Sequence, residues 1–379
     1  MASDSLSTRQ LIPVSLLTGF LGSGKTTLLN HLVRQPALSD TLVIINEFGA
    51  ISLDHLLVKH SHEEMVAKVA GGCICCTTRS DIKKALREVT WRFARGGKRQ
   101  FNRVIIETTG LGDPTPILHT LMTDAFLVEH YRLDGVVTTV DCVNGMQTLS
   151  LYPEAVKQAA VADRLVLTKS DLVNDVQLTE LRDRLAVLNP GARQMRVMNG
   201  HAEAEQLLGL GLFSTDNKIP DVARWLNAES FQDSMAPPAG RFTYKPISIM
   251  GTHRLTRKRP LRVTVPRDIN RHDDQIRAFC FTFDDPIDPY VFDSWIGLLL
   301  GIKGTDVLRV KGIVNLAHRA GPVIIHGVQH IFHPPVELAD WPSDDHRTRI
   351  VFITRAIDRN TIEHMFAFTE ARLAMPQQT

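Results

Sequence analysis

From Leu11 to about residue 210, short apolar runs alternate with stretches whose apolar positions recur at helical spacing. Ile12–Thr18, Leu42–Asn46, Val66–Ala70, Arg103–Glu107, Gly135–Val140 and Arg164–Thr168 predict strands, with a further one at Gln194–Met198. Lys25–Arg34, Asp81–Arg95 and Leu178–Leu188 predict helices. Strand and helix in regular alternation imply an α/β fold built on a doubly wound, mainly parallel sheet. Beyond about residue 230 the alternation dissolves into prolines and a dense basic run, which predicts an exposed linker over 229–274. A new rhythm starts at Ile276: strand Arg277–Phe283, helix Pro289–Leu300, strands Asp306–Asn315, Pro322–Phe332 and Arg347–Ile353, and a closing helix Thr361–Ala374. The expected organisation is therefore an α/β domain over 1–228, the linker, and a smaller α+β domain over 275–379.

The first predicted strand runs straight into Gly19-Phe20-Leu21-Gly22-Ser23-Gly24-Lys25-Thr26, which satisfies G-x-x-x-x-G-K-[ST] and opens a predicted helix from Thr27. In such a phosphate loop the main chain of Gly19, Gly22, Ser23, Gly24 and the first helical residues, Thr26 and Thr27 among them, turns its N–H groups toward the phosphates. Lys25 reaches the β and γ phosphates, and the Thr26 hydroxyl is offered to Mg²⁺. A glycine-rich turn without a ligand is the bland alternative, and the strand-loop-helix setting argues against it. The strand "RVIIE" ends in Glu107, followed by Thr108, Thr109 and Gly110. That is the place of a Walker B carboxylate, which would hold Mg²⁺ through water or orient the attacking water, while Gly110 donates its N–H to the γ-phosphate. The other reading of Glu107 is a residue that merely ends a strand.

Thr168-Lys169-Ser170-Asp171 follows the strand "RLVLT" and forms an [NT]-K-x-D element. The Asp171 carboxylate would accept from N1–H and the N2 amine of guanine, a donor pair that adenine lacks, so the expected nucleotide is GTP. Lys169 would lay its stem along the base, and Asn199 in the loop Asn199-Gly200 would touch the base's other edge. Thr168 stands where Asn is commoner, which removes an amide that would tie this loop together.

Composition changes the picture at one point. The 379 residues are 44% hydrophobic and 22% charged, and a net charge of +2 gives no global argument for nucleic acid or membrane. The polar start of the chain and the lack of a long apolar run lead to the expectation of a cytoplasmic protein. The basic linker reads as a solvated tether before it reads as an RNA site, since no aromatic platform accompanies it. Of five cysteines, however, three crowd into Gly71-Gly72-Cys73-Ile74-Cys75-Cys76. That clustering suits thiolate ligation of Zn²⁺, Co²⁺ or another thiophilic ion, and a helix start signalled by Thr77, Thr78, Ser80 and Asp81, with Arg79 nearby, would favour the thiolates. A redox switch or small buried residues are the competing readings. Glu47 of "NEFG" is the preferred further ligand; His119, His55, His60 and His62 are weaker ones.

Taken together, "GFLGSGKTTLLN", "INEFG", "GGCICC", "IIETTGLGDP", "VDCV" and "TKSD" resemble the CobW-type metallochaperone GTPases, also called zinc-regulated GTPase metalloprotein activators. "LRVKGIV" and "VIIHGVQHIFHPP" look like that family's C-terminal domain. The resemblance implies a GTPase with Mg²⁺, whose C-x-C-C thiols bind zinc or cobalt near the nucleotide and release it to a client metalloprotein on hydrolysis. A homodimer depending on nucleotide or metal stays open as an assembly. The alternatives are a GTP-dependent assembly factor with structural or redox cysteines, and an activator dedicated to one enzyme, of the nitrile hydratase activator type.

Overall fold

Among the described residues, seven strands in the order β3-β2-β6-β1-β7-β8-β9, all parallel, form the sheet that the first half of the chain requires. The computed structural model describes residues 11–45, 66–68, 80–92, 94–95, 98–99, 101–210, 276–332 and 334–374. Cys73, Cys75, Cys76, Glu47, His55, His60, His62 and the whole of 229–274 lie outside these residues, so the linker and its boundaries remain a proposal.

The elements are β1 (Ile12–Gly19), α1 (Lys25–Leu32), β2 (Thr41–Ile45), β3 (Val66–Lys68), α2 (Ser80–Arg92), β4 (Ala94–Arg95), β5 (Lys98–Arg99), β6 (Arg103–Glu107), α3 (Thr115–Thr123) and α4 (Ala125–His130). They continue with β7 (Tyr131–Asp141), α5 (Gly145–Leu151), α6 (Pro153–Ala160), β8 (Arg164–Thr168), α7 (Asp175–Leu188), β9 (Arg193–Arg196) and α8 (Ala204–Leu207). Because every strand runs the same way, Gly19, Ile45, Glu107, Asp141 and Thr168 end at one edge of the sheet. The chain reverses its winding direction beside β1, so the phosphate loop sits where such folds bind ligands.

The second half folds into β10 (Ile276–Phe283), α9 (Pro289–Lys303), β11 (Val307–Val314), β12 (Val323–Val328), β13 (Ile331–Phe332), β14 (Val336–Glu337), β15 (Thr348–Arg355) and α10 (Arg359–Ala374). The strand pairings in this sheet are antiparallel, in the order β10-β15-β11-β12-β13, with β14 on β12. An antiparallel strand commonly shows one wet face. β15 does not: Ile350 and Phe352 pack with Trp295 of α9, while Val351 and Ile353 join Ala155, Ala159, Leu181 and Leu185 of the first domain. Both faces are buried, which is why "RIVFIT" reads as an unbroken apolar run.

Several elements differ from their predicted bounds for local reasons. Predicted strand Pro322–Phe332 is two strands, because Gln329 turns left-handed (φ 54°) and folds β13 back on β12. α7 begins at Asp175, earlier than the apolar periodicity suggests, since Asn174 and Gln177 form a reciprocal capping box. α2 stops at Arg92, ahead of the small hairpin β4-β5.

A buried ion cluster pins the two domains together. Asp163, between α6 and β8, accepts at Oδ1 from Arg309 Nη2 (2.6 Å) and Lys311 Nζ (2.5 Å) of β11, and at Oδ2 from the Val136 amide (2.9 Å). Burial alone would raise the Asp163 carboxyl, but the Arg309 and Lys311 charges, with His326, outweigh it and hold it far below its usual range. Lys311 shares that single carboxylate with Arg309, and burial brings its ammonium down to about 8. A folded-state carboxyl held low stabilises the fold above its unfolded value of 3.8, and this contribution is lost as pH falls below it. Asp163→Asn removes the carboxylate that faces two buried cations and should cost about 3–5 kcal/mol in urea denaturation at neutral pH. The variant should also show a shallower loss of stability than wild type as pH drops below 4; equal slopes would show that this carboxylate is not the acid-sensitive latch.

Candidate functional site

The phosphate loop leaves β1 at Gly19 and enters α1 through Gly24, whose left-handed backbone (φ 88°, ψ 18°) swings the first helical amides into the loop. Lys25 Nζ donates to the carbonyls of Gly19 (3.0 Å) and Phe20 (3.1 Å), which aims its charge over the loop's concave side. The loop is held from beneath by hydroxyls. Ser23 Oγ and Thr139 Oγ1 of β7 share a hydrogen bond of 2.6 Å, and Thr108 Oγ1 donates to Thr18 Oγ1 (2.8 Å). All four side chains are buried. Ser23 thus anchors the loop inward through its side chain, leaving only its main chain for a phosphate.

Glu107 is buried at the end of β6, in register with Leu17 on one side and Ile45 on the other. Its Oε1 accepts from Thr26 Oγ1 at 2.8 Å. A hydroxyl and a carboxylate so close, beside the lysine of the loop, form the hard oxygen donor set that Mg²⁺ prefers. The residues present therefore fit a magnesium-bound nucleotide. Gly110 rests directly on the loop: an added Cβ would come within 2.7 Å of the Leu21 amide nitrogen, so only glycine fits this approach.

At the base end, Thr168 Oγ1 donates to the Ser23 carbonyl (2.8 Å) and approaches Val140 O (3.2 Å). Thr168 therefore does tie the base loop to the phosphate loop; a hydroxyl replaces the amide expected at that point. Lys169 turns left-handed (φ 55°) and donates Nζ to Asp141 Oδ2 at 2.6 Å. Burial would raise Asp141, but bonds from Lys169, Asn144 and the Val143 amide outweigh it and keep the carboxylate charged. Asp171 follows, exposed, on a turn over Ser170–Leu172 whose first residue is buried. Asn199 and Gly200 turn against α1, where an added Cβ on Gly200 would lie 2.8 Å from the Thr27 carbonyl. The Asn199 loop thus lies against the first turn of α1, while Lys169 is held at the end of β7 by Asp141.

His119 lies elsewhere. It is buried on α3, its Nε2 3.2 Å from the Val328 carbonyl and its ring edge-on to His330, so it belongs to the domain contact. Among the described residues no three His, Cys, Asp or Glu side chains gather as a metal site. Burial pushes the thiols of Cys142 and Cys280 up to about 11, which disfavours the thiolate that a metal needs. Asp141, Thr139 and Thr108 support the loop in ways that the sequence did not assign to them. Asp141 lay in "VDCV" and Thr108 in "IIETTGLGDP", two of the segments that carry the resemblance, whereas Thr139 had no such signal.

Comparison with known proteins decides the family. The CobW/HypB/UreG nucleotide-binding domain matches residues 13–196, and the cobalamin synthesis protein cobW C-terminal domain matches 276–369. The chain belongs to the CobW family. It is 29% identical to the zinc chaperone YjiA of Escherichia coli (strain K12), over 94% of this chain and 98% of that one. It is 32% identical to zinc-regulated GTPase metalloprotein activator 1 of Schizosaccharomyces pombe, over 56% of this chain and 53% of that one. The crystal structure of Zn(II)-bound YjiA GTPase from E. coli has the same fold, with a TM-score of 0.61 at 24% identity over 95% of this chain and 99% of that one. As a member of this family the chain is a GTPase, working on GTP with Mg²⁺. No helix among the described residues is long and apolar enough to cross a membrane.

The Thr168 tie can be tested by Thr168→Val, which keeps the shape and deletes the hydroxyl. A net hydrogen bond of about 0.5–1.5 kcal/mol predicts that GTP and GDP affinity both fall by about two- to tenfold. Fluorescent-nucleotide titration checks this; unchanged affinity for both would remove the tie from the account.

Proposed function

We propose that this chain is a GTP-controlled metallochaperone. It binds zinc, or cobalt, through Cys73, Cys75 and Cys76 with Glu47 as an oxygen ligand, and passes the ion to a client metalloprotein as GTP is hydrolysed. In the nucleotide site Lys25 neutralises the β and γ phosphates, Thr26 and Glu107 hold Mg²⁺, and Gly110 meets the γ-phosphate. Lys169, Asp171 and Asn199 take the guanine base.

The observation that carries this reading is the register of the sheet. Ile45 pairs with Lys68 on one side and Glu107 on the other, so β3 stops two strands from the magnesium carboxylate, roughly 10 Å away. β2 and β3 end at the same edge of the sheet, and in sequence Glu47 follows Ile45 by two residues and Cys73 follows Lys68 by five. Strands that end this close to the magnesium carboxylate support a reading in which the segments after them order on GTP and relax on hydrolysis. Relatives named as zinc chaperones support zinc as the cargo.

Competition with a chromophoric zinc chelator tests the metal half. The Cys73→Ser, Cys75→Ser, Cys76→Ser variant should bind zinc at least about 100-fold more weakly, near 3 kcal/mol, while GTP affinity without metal stays at the wild-type value. Unchanged zinc affinity would assign the cysteines another task. In the nucleotide half, Lys25→Ala should abolish measurable turnover, and normal turnover in that variant would refute the phosphate-loop assignment.

A further inference from the structure

The second turn of α6 grips the segment that follows Glu107. Gln158 is 1% exposed, and its Nε2 donates to the carbonyls of Gly112 (2.9 Å) and Gly110 (3.3 Å). Its own main-chain carbonyl accepts from Thr138 Oγ1 of β7 (2.8 Å), which fixes the helix against the strand beside the phosphate loop. The neighbouring Lys157 donates Nζ to Asp113 Oδ2 (3.0 Å), and Asp113 Oδ1 accepts from the Thr115 amide that opens α3 (2.9 Å). One turn of helix thereby holds Gly110, Gly112 and Asp113, and Gly110 in turn lies on the Leu21 backbone.

The helix that does this holding has little freedom to move. Ala155, Val156 and Ala159 of α6 pack with Leu308, Ile313 and Ile324 of the C-terminal sheet, and Asp163 just beyond the helix is locked to Arg309 and Lys311. Gln158 also carries a cost. Its Oε1 is buried with no hydrogen-bond partner among the described residues. An apolar side chain of the same shape would avoid that cost, so packing alone is a poor reason for an amide at this point.

We propose that Gln158 is a positioning residue for GTP hydrolysis, its amide holding the Gly110–Gly112 main chain at the height where the Gly110 N–H meets the γ-phosphate. The proposal rests on the reading of Gly110 as the γ-phosphate contact. Gln158 touches neither nucleotide nor Mg²⁺; it acts through the two carbonyls it restrains. Hydrolysis is sensitive to such placement, since a displacement of about 1 Å can cost on the order of a hundredfold in rate. GDP has no γ-phosphate, so its affinity does not depend on this restraint.

Gln158→Met keeps the unbranched shape and helix preference while removing both donated bonds. Steady-state turnover, GDP affinity and melting temperature are measured on the full chain. The expected result is a kcat at least tenfold below wild type, with GDP affinity within about twofold. Gln158→Glu, which sets a carboxylate against the two carbonyls, should lose at least as much. A kcat within twofold of wild type in Gln158→Met overturns the proposal. So does a fall in kcat matched by an equal fall in GDP affinity, which marks a general support of the nucleotide site. If Gln158→Met does not fold, Gln158→Asn, too short to reach Gly112, is held to the same two criteria. Wild-type turnover and its loss in Lys25→Ala are read in parallel: their failure refutes the nucleotide site itself, whereas the outcomes for Gln158 bear only on positioning.

Discussion

A phosphate loop works by keeping several main-chain amides pointed at one place, and here buried hydroxyls enforce that. Ser23 is held by Thr139 from one side, and its carbonyl is taken by Thr168 from the other. Thr18, one residue before the loop, is tied to Thr108, one residue after Glu107. β7 and β8 therefore each hold the loop through one short side chain, and the end of β1 that leads into it is tied to the residue after β6. Net contributions of about 1 kcal/mol per bond are modest. Their larger effect is geometric, because the phosphate, magnesium and base ends cannot shift independently.

The second domain extends this constraint beyond the site. Its sheet is antiparallel yet buried on both faces, one by α9 and α10 and the other by α6 and α7 of the nucleotide domain. The apolar contact has no preferred direction, whereas the cluster of Asp163, Arg309 and Lys311 does, since one carboxylate satisfies two cations only in one arrangement. α6 therefore faces the C-terminal sheet on one side and the Gly110–Asp113 segment on the other. One helix is thus in contact with both the C-terminal sheet and the segment that follows Glu107.

Much of this was legible in the sequence, for reasons that sort by range. The phosphate loop, Glu107 and the Thr168–Asp171 element are encoded by residues adjacent in sequence, where spacing determines local geometry. Most strand positions were readable because buried parallel strands are close to continuous apolar runs, although β9, RQMR, is partly exposed. Thr139 and Gln158 were not readable: Thr139 meets Ser23 across 116 positions, and Gln158 reaches Gly112 across 46. Nothing in their own neighbourhoods distinguishes them from ordinary strand and helix residues. Thr168 looked like a weakened version of an asparagine, because which group its hydroxyl would reach depends on how β8 lies against the phosphate loop. His119 was misplaced for the same reason, since its partner Val328 belongs to the other domain.

The proposed function turns on a single coupling, between the nucleotide at the end of β1 and β6 and the proposed metal ligands Glu47, Cys73, Cys75 and Cys76, which follow β2 and β3 in sequence. Coupling between two binding sites is reciprocal by thermodynamic necessity. Zinc affinity measured with a non-hydrolysable GTP analogue and with GDP, both with Mg²⁺, tests it most directly when paired with analogue affinity measured with and without zinc. The account predicts that the analogue tightens zinc binding by about tenfold or more relative to the nucleotide-free protein, and that zinc tightens the analogue by the same factor. Zinc affinity that is equal in the analogue-bound and GDP-bound states would contradict it.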